Sequence, residues 1–222
     1  FDGRADAATS DTIDMSGESR GVDFDLRSGK TNNAKLRDDD YKGIEGIIGT
    51  KRGDDLRGDE GANVLTGLRG SDKLFGRDGS DHIHGGDGRD QLSGGDGKDE
   101  LTGNKGADLL IGGAGSDDFN FVKRADSTRD SMDVIDGFDG AGRRGGDQID
   151  VSAIDAVAGK RGNQKFDFGD DKGRGDLWAE NDGRDTIIYG NIDGDRFAEI
   201  QIRIEDGRST SAEDYNSRDF IL

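Results

Sequence analysis

Aspartates recur through the middle of this 222-residue chain at a spacing of nine. Asp54, Asn63, Asp72, Asp81, Asp90, Asp99, Asp108 and Asp117 each stand five residues after a glycine: Gly49, Gly58, Gly67, Gly76, Gly85, Gly94, Gly103 and Gly112. A second glycine fills the fourth position in seven of the eight nine-residue units, with Arg52 the exception. Glycine admits positive φ and close backbone approach, so such a loop can turn its carbonyls toward one point. A carboxylate beside those carbonyls completes a set of hard oxygens. Ca²⁺ takes about six to eight of these at about 2.3–2.6 Å, whereas Mg²⁺ is smaller and keeps its waters.

Elements must hold the loops in place. The eighth position is apolar in every unit: Leu56, Leu65, Leu74, Ile83, Leu92, Leu101, Leu110 and Phe119. The last three residues of a unit therefore read as a short strand with its middle side chain inward. One buried leucine per unit holds nothing alone, but stacked units share a continuous core. Eight units without a gap, Gly49 to Asn120, make four turns if two units close one turn. At about 4.8 Å per strand the roll is roughly 20 Å long. Its loops fall into two rows with three gaps each, which predicts about six calcium ions plus edge sites. Position two is Leu68, Arg77 and Asn104 in three units. A carbonyl ligand is indifferent to its side chain, so this matters only where positive φ is needed.

The composition agrees. Net charge is −18, hydrophobic residues make up 29%, and the 39 glycines are accompanied by no proline and no cysteine. Low hydropathy with high net charge is the signature of a chain that cannot fold unaided. A multivalent cation offsets the repulsion. No stretch approaches a membrane-spanning length. Disulfides and cysteine-bearing zinc sites are excluded, and the acidity argues against nucleic acid. The chain opens at Phe1 without an apolar signal core, which reads as a processed or excised piece of a longer protein.

The pattern G-G-x-G-x-D-x-U-x resembles the RTX calcium-binding nonapeptide repeat. The flanks resemble the C-terminal domain of serralysin-type secreted metalloproteases. Asp11–Gly17, Val22–Leu26 and Gly29 look like its lead-in, and Gly43–Gly49 like its bridge to the first repeat. Asp133–Phe138 and Asp147–Ser152 look like its post-repeat strands. The closing Asp219-Phe220-Ile221-Leu222 is similar to the terminus of proteins exported by type I secretion. The resemblance implies carbonyl ligands at positions two and four, or one and three, joined by the carboxylate at position six. On this chain that assigns Thr50, Arg52 and Asp54; Asp59, Gly61 and Asn63; and Gly67, Arg69, Gly70 and Asp72. It continues with Gly79 and Asp81; Gly86, Gly88 and Asp90; Gly95, Gly97 and Asp99; Gly106 and Asp108; and Gly113, Gly115 and Asp117. Glu45 matches a ligand ahead of the first repeat, and Asp126 and Asp147 match ligands that close the far end.

No catalytic constellation is present: there is no H-E-x-x-H motif, no cysteine, and histidine only at His82 and His84. This chain is therefore expected not to be an enzyme, although its parent can be one. His82 and His84 should point outward from one strand, read as a solvated face rather than a transition-metal pair. Asn191–Asp195 resembles the start of an EF-hand loop, but Arg196 and Ile202 occupy the places of the required glycine and glutamate. Asp193-Gly194 reads better as a hairpin turn. Phe75, Leu109 and Ile111 face outward and predict cover by a flanking segment.

The expected fold is all-β: lead-in strands over 1–48, a parallel β-roll over 49–120, and a C-terminal antiparallel sandwich or sheet over 121–222 that carries the secretion signal at 219–222. The expected role is a calcium-folded region of a secreted, extracellular bacterial protein. Its expected partners are the type I secretion apparatus and an attached N-terminal catalytic domain, expected to be a serralysin-like zinc protease. The alternative is a calcium-stabilised module that binds anionic polysaccharide or a cell surface.

Overall fold

The computed structural model describes residues 11–33, 41–141, 145–157, 164–169, 172–193, 197–205 and 210–222. Its strands form two sheets, and the apolar eighth position lies at the centre of both. One sheet stacks in parallel the strands centred on Ile13, Ile47, Leu65, Ile83, Leu101, Phe119, Ile149 and Phe220. The other stacks Phe24, Leu56, Leu74, Leu92, Leu110, Ile135 and Ile204 in the same way. Leu56 pairs with Leu74 and Leu65 with Ile83, so one turn is eighteen residues, two units, as the spacing predicts. Apart from the partly buried Ile13, these side chains are buried and form one core column between the sheets.

The flanks continue the roll before they leave it. Asp133–Asp136 and Gln148–Asp150 join the two sheets in parallel. Each repeats the Asp-x-apolar signature of a repeat strand: Asp133 before Ile135, Asp147 before Ile149. The expected antiparallel part is a meander of Asp176–Asp182, Asp185–Asn191 and Ile200–Glu205. It extends the second sheet edge to edge, through Ile135 beside Ile204, rather than forming a separate layer. Its first turn is tight, with Gly183 at φ +73°. The second hairpin joins Gly190 to Ile200 in register. Part of the expected Asp193-Gly194 turn, including Gly194, lies outside the described residues. A short 3₁₀ turn covers Ala212–Asp214.

Phe75, Leu109 and Ile111 are half-buried. Leu109 and Ile111 lie beside Val134 and Asp136 of the flank, so the flank borders them within the sheet rather than covering them. The guanidinium of Arg57 sits 5.4 Å over the Phe75 ring.

Candidate metal centre

The strands place the loops in two rows. Along the first row, backbone N–H groups donate to the Oδ1 of the aspartate one turn on: Asp54 to Asp72 at 2.8 Å, Asp72 to Asp90 at 2.9 Å, Asp90 to Asp108 at 2.8 Å and Asp108 to Asp133 at 2.9 Å. The second row runs Asn63 to Asp81, Asp81 to Asp99, Asp99 to Asp117 and Asp117 to Asp147 over 2.7–2.9 Å. Each of these carboxylates except Asp147 is thereby oriented through one oxygen only.

The other oxygen carries the chemistry. Oδ2 of Asp72, Asp81, Asp90, Asp99, Asp108, Asp117 and Asp133 is buried and accepts no hydrogen bond, and neither does Oδ1 of Asp126. A buried acceptor left without a partner costs about 1–3 kcal/mol, and more when charged. Burial pushes the carboxyls of Asp72 and Asp108 up to about 7, and those of Asp81, Asp90 and Asp99 up to about 6. Asp133, the most deeply set, rises to about 9, and Asp147 to about 6, again through burial. Neighbouring carboxylates push in the same direction, as Asp90 does at Asp72.

A carbonyl from the next turn faces the same space. A Cβ on Gly67 would lie 2.4 Å from Asp72 Oδ2 and 2.7 Å from the Gly85 carbonyl oxygen. On Gly94 it would lie 2.2 Å from Asp99 Oδ2 and 2.7 Å from the Gly112 carbonyl oxygen. Only glycine leaves that cradle open. Among the described residues no three His, Cys, Asp or Glu side chains converge as a metal cluster. A bare anionic oxygen in each loop from Asp72 to Asp117, with inward carbonyls, is a donor set that fits Ca²⁺.

Position two explains how the loops turn. Gly86, Gly95 and Gly113 have φ of +120°, +123° and +108°, and three of the non-glycine residues at this position share the conformation: Leu68 at +81°, Arg77 at +89° and Asn104 at +66°. All six loops from Leu68 to Gly113 therefore hold positive φ at this position. Asparagine tolerates it, but leucine and arginine bear a steric cost. Arg77 is held by a two-pronged pair with Asp25 at 3.0 and 2.9 Å and by the Gly58 carbonyl.

Most of the predicted residues assemble as the spacing implies. Gly67, Arg69, Gly70, Gly86, Gly88 and Gly106 stack with Asp72, Asp90 and Asp108 in the first row. Gly79, Gly95, Gly97, Gly113 and Gly115 stack with Asp81, Asp99 and Asp117 in the second. The ends are different. Asp54 accepts from Thr50 N–H at 2.6 Å and Val22 N–H at 2.7 Å, one on each oxygen. Asn63 Oδ1 accepts from Asp59 N–H at 2.8 Å. Asp147 accepts from Asp117 and Asp139, one on each oxygen, and Glu45 Oε2 accepts from Asp11 N–H at 2.9 Å. Asp126 takes Val122 and Lys123 N–H on Oδ2 and keeps Oδ1 bare. Arg52 and Gly61 lie in the two loops of the first turn. Asp133 was not among the expected ligands, yet its bare oxygen faces the environment of Asp108 and Asp126. Its Asp-x-apolar signature was the readable signal. His82 stands on the outward face with Nδ1 2.9 Å from Glu100 Oε2, and His84 points outward beside Thr102.

Two stacked-loop sheets around one apolar column, with an oriented carboxylate in every loop but that of Asn63, define a parallel β-roll of metal-binding repeats. The family model described as RTX calcium-binding nonapeptide repeat (4 copies) matches residues 48–83, 57–92 and 93–121. This segment is an RTX repeat region, and its repeats imply calcium binding. The chain is also similar to the solution structure of the AlgE6R3 subunit from the Azotobacter vinelandii mannuronan C5-epimerase, at 24% identity and a TM-score of 0.45, over 78% of this chain and 80% of that one. That likeness is too slight to add to what the sheets show. No curated protein matches. The serralysin-type resemblance of the flanks is not among these matches.

Proposed function

We propose that this chain is the non-catalytic, calcium-folded region of a secreted bacterial protein, exported by the type I route and carrying a separate catalytic domain, with a serralysin-like zinc protease the favoured passenger. The observation that supports this reading is the run of buried carboxylate oxygens without donors from Asp72 to Asp117. These groups penalise the folded state when no cation is present. Asp72, Asp81, Asp90, Asp99, Asp108 and Asp117, with loop carbonyls and with Asp126 and Asp133 at the far end, would hold the ions. When bound, Ca²⁺ supplies the positive charge and oxygen coordination that these carboxylates lack. In a calcium-poor cytoplasm the −18 chain stays extended and fit for export. At millimolar calcium outside, binding to the folded form alone drives folding by mass action. Among the described residues no helix is long and apolar enough to cross a membrane.

The test is far-UV circular dichroism of the full chain during a calcium titration, with magnesium as control. The expected result is a cooperative coil-to-β transition with calcium alone. A folded spectrum in chelator contradicts the mechanism.

A second reading, a module that binds anionic polysaccharide, is favoured by a basic column. The third positions of the first-row loops are Lys51, Arg69, Asp87 and Lys105, and the next turn continues with Lys123. They line an open groove of about 440 Å³ with Thr66, His84 and Asn104. Asp87 lies 3.5 Å from Arg69 Nε and 3.6 Å from Lys105 Nζ, leaving the column net positive. The second row carries Glu60, Asp78 and Asp96 in the same place. Affinity for polyuronate at fixed calcium, lost in a Lys51→Glu/Lys123→Glu variant, is the expected sign. Equal affinity for a neutral glucan contradicts it.

A further inference from the structure

We infer that the first turn of the roll takes no calcium: the loops ending at Asp54 and Asn63 are closed by the protein's own N–H groups and form an ion-independent cap on which the calcium-holding turns stack. The inference rests on the calcium-binding reading above, and narrows which loops take part.

The repeat pattern places Asp54 and Asn63 at the same position six as Asp72 and Asp81, yet their surroundings differ. In the six loops that follow, position two has positive φ, from +66° at Asn104 to +123° at Gly95. Thr50 and Asp59, at position two of the first turn, are not among the residues with positive φ. Reversing that sign turns the peptide over. The N–H of Thr50 then reaches Asp54 Oδ2 at 2.6 Å, and the N–H of Asp59 reaches Asn63 Oδ1 at 2.8 Å. Those oxygens correspond to the bare Oδ2 atoms of the following loops. An N–H presents its positive end, so it satisfies the carboxylate from the side a cation would use.

Residue chemistry accounts for the change. Thr50 is β-branched and resists positive φ. Its hydroxyl adds a bond to Asp54 Oδ1 at 3.0 Å. Asp59 folds its side chain back to accept Gly61 N–H at 2.8 Å, and Asn63 Nδ2 also reaches it, at 3.3 Å. Asn63 brings no charge that needs a cation. The far end of the second row repeats the device, since both oxygens of Asp147 accept backbone N–H groups. The far end of the first row does not, because Asp126 and Asp133 each keep a bare oxygen.

The test is native mass spectrometry of the full chain at saturating calcium, counting bound ions in the wild type and in Asn63→Asp, Asp54→Asn and Asp90→Asn. Asn63→Asp and Asp54→Asn are expected to bind the same number as wild type, and Asp90→Asn at least one fewer. A calcium gained by Asn63→Asp, or one lost by Asp54→Asn, overturns the inference. If Asp54→Asn does not fold, Asn63→Asp decides alone. A wild type that binds no calcium, or an Asp90→Asn that binds as many as wild type, fails the underlying reading as well and is recognisable as that separate failure.

Discussion

The middle of the roll and the meander at its edge bury apolar side chains alike but treat charge in opposite ways. In the meander, Arg203 meets Asp182 at 2.8 Å and Asp185 at 3.0 Å, and Trp178 Nε1 donates to Glu180 at 3.1 Å. Its acids are near the surface and are answered by side chains of the same chain. In the roll, Asp72 to Asp117 are buried and half answered, one oxygen each. Apolar burial is therefore not what separates the two regions. The meander carries its own counter-charges, and the roll borrows them from solution. Stability in the roll becomes a function of the medium.

Withdrawing the divalent ion should break the comparison most strongly. A site filled at 100 times its Kd contributes about 2.7 kcal/mol, so several sites together rival the roughly 5–15 kcal/mol of a whole domain. We expect a calcium-free denaturant titration at neutral pH to show little or no cooperative transition for the roll. An unchanged midpoint would place the stability elsewhere. Truncating the shared core comes next. Leu92→Ala in the roll and Ile188→Ala in the meander should each cost about 2–5 kcal/mol in calcium, read from the denaturant midpoint. Ile188→Ala should leave the number of bound ions unchanged.

The pH response has a definite sign. The folded carboxyls stand near 7 at Asp72 and Asp108 and near 6 at Asp81, Asp90 and Asp99, against about 3.9 in an unfolded chain. Without metal the folded form holds more protons between these values. Its stability is therefore greatest at the acid end and falls as pH rises from about 4 to about 7. Calcium affinity rises across the same window, because binding expels those protons. Thermal melts at pH 5 and pH 8 in metal-free buffer check this, and a higher melting temperature at pH 8 contradicts it. The smallest expected effect is at Leu68: replacing it with glycine relieves a left-handed leucine and should stabilise the calcium form by up to about 1 kcal/mol.

The repeat made the roll legible in advance, because a nine-residue period with one apolar column allows few other packings. Six loops followed from the Gly and Asp columns. The closed first turn did not, because reading carbonyl ligands as indifferent to side chain overlooks φ. A β-branched Thr50 at the glycine position was the available clue. Asp133 was missed because the flank was read as antiparallel strands, although its Asp-x-Ile repeats the strand signature. The antiparallel character of the C-terminal sheet was legible in advance. Its edge-to-edge attachment depends on Ile204 finding Ile135 across sixty-nine residues, which no local pattern records.

The most direct measurement is amide hydrogen exchange, resolved by peptide, of the full chain with calcium and with chelator at pH 7.5. The N–H groups of Asp72, Asp81, Asp90, Asp99 and Asp108, each donating to a carboxylate one turn on, report the state of the loops. Our account predicts strong protection of 67–117 in calcium and its collapse in chelator. Equal protection in both conditions would contradict it and show that the core column holds the roll without ions.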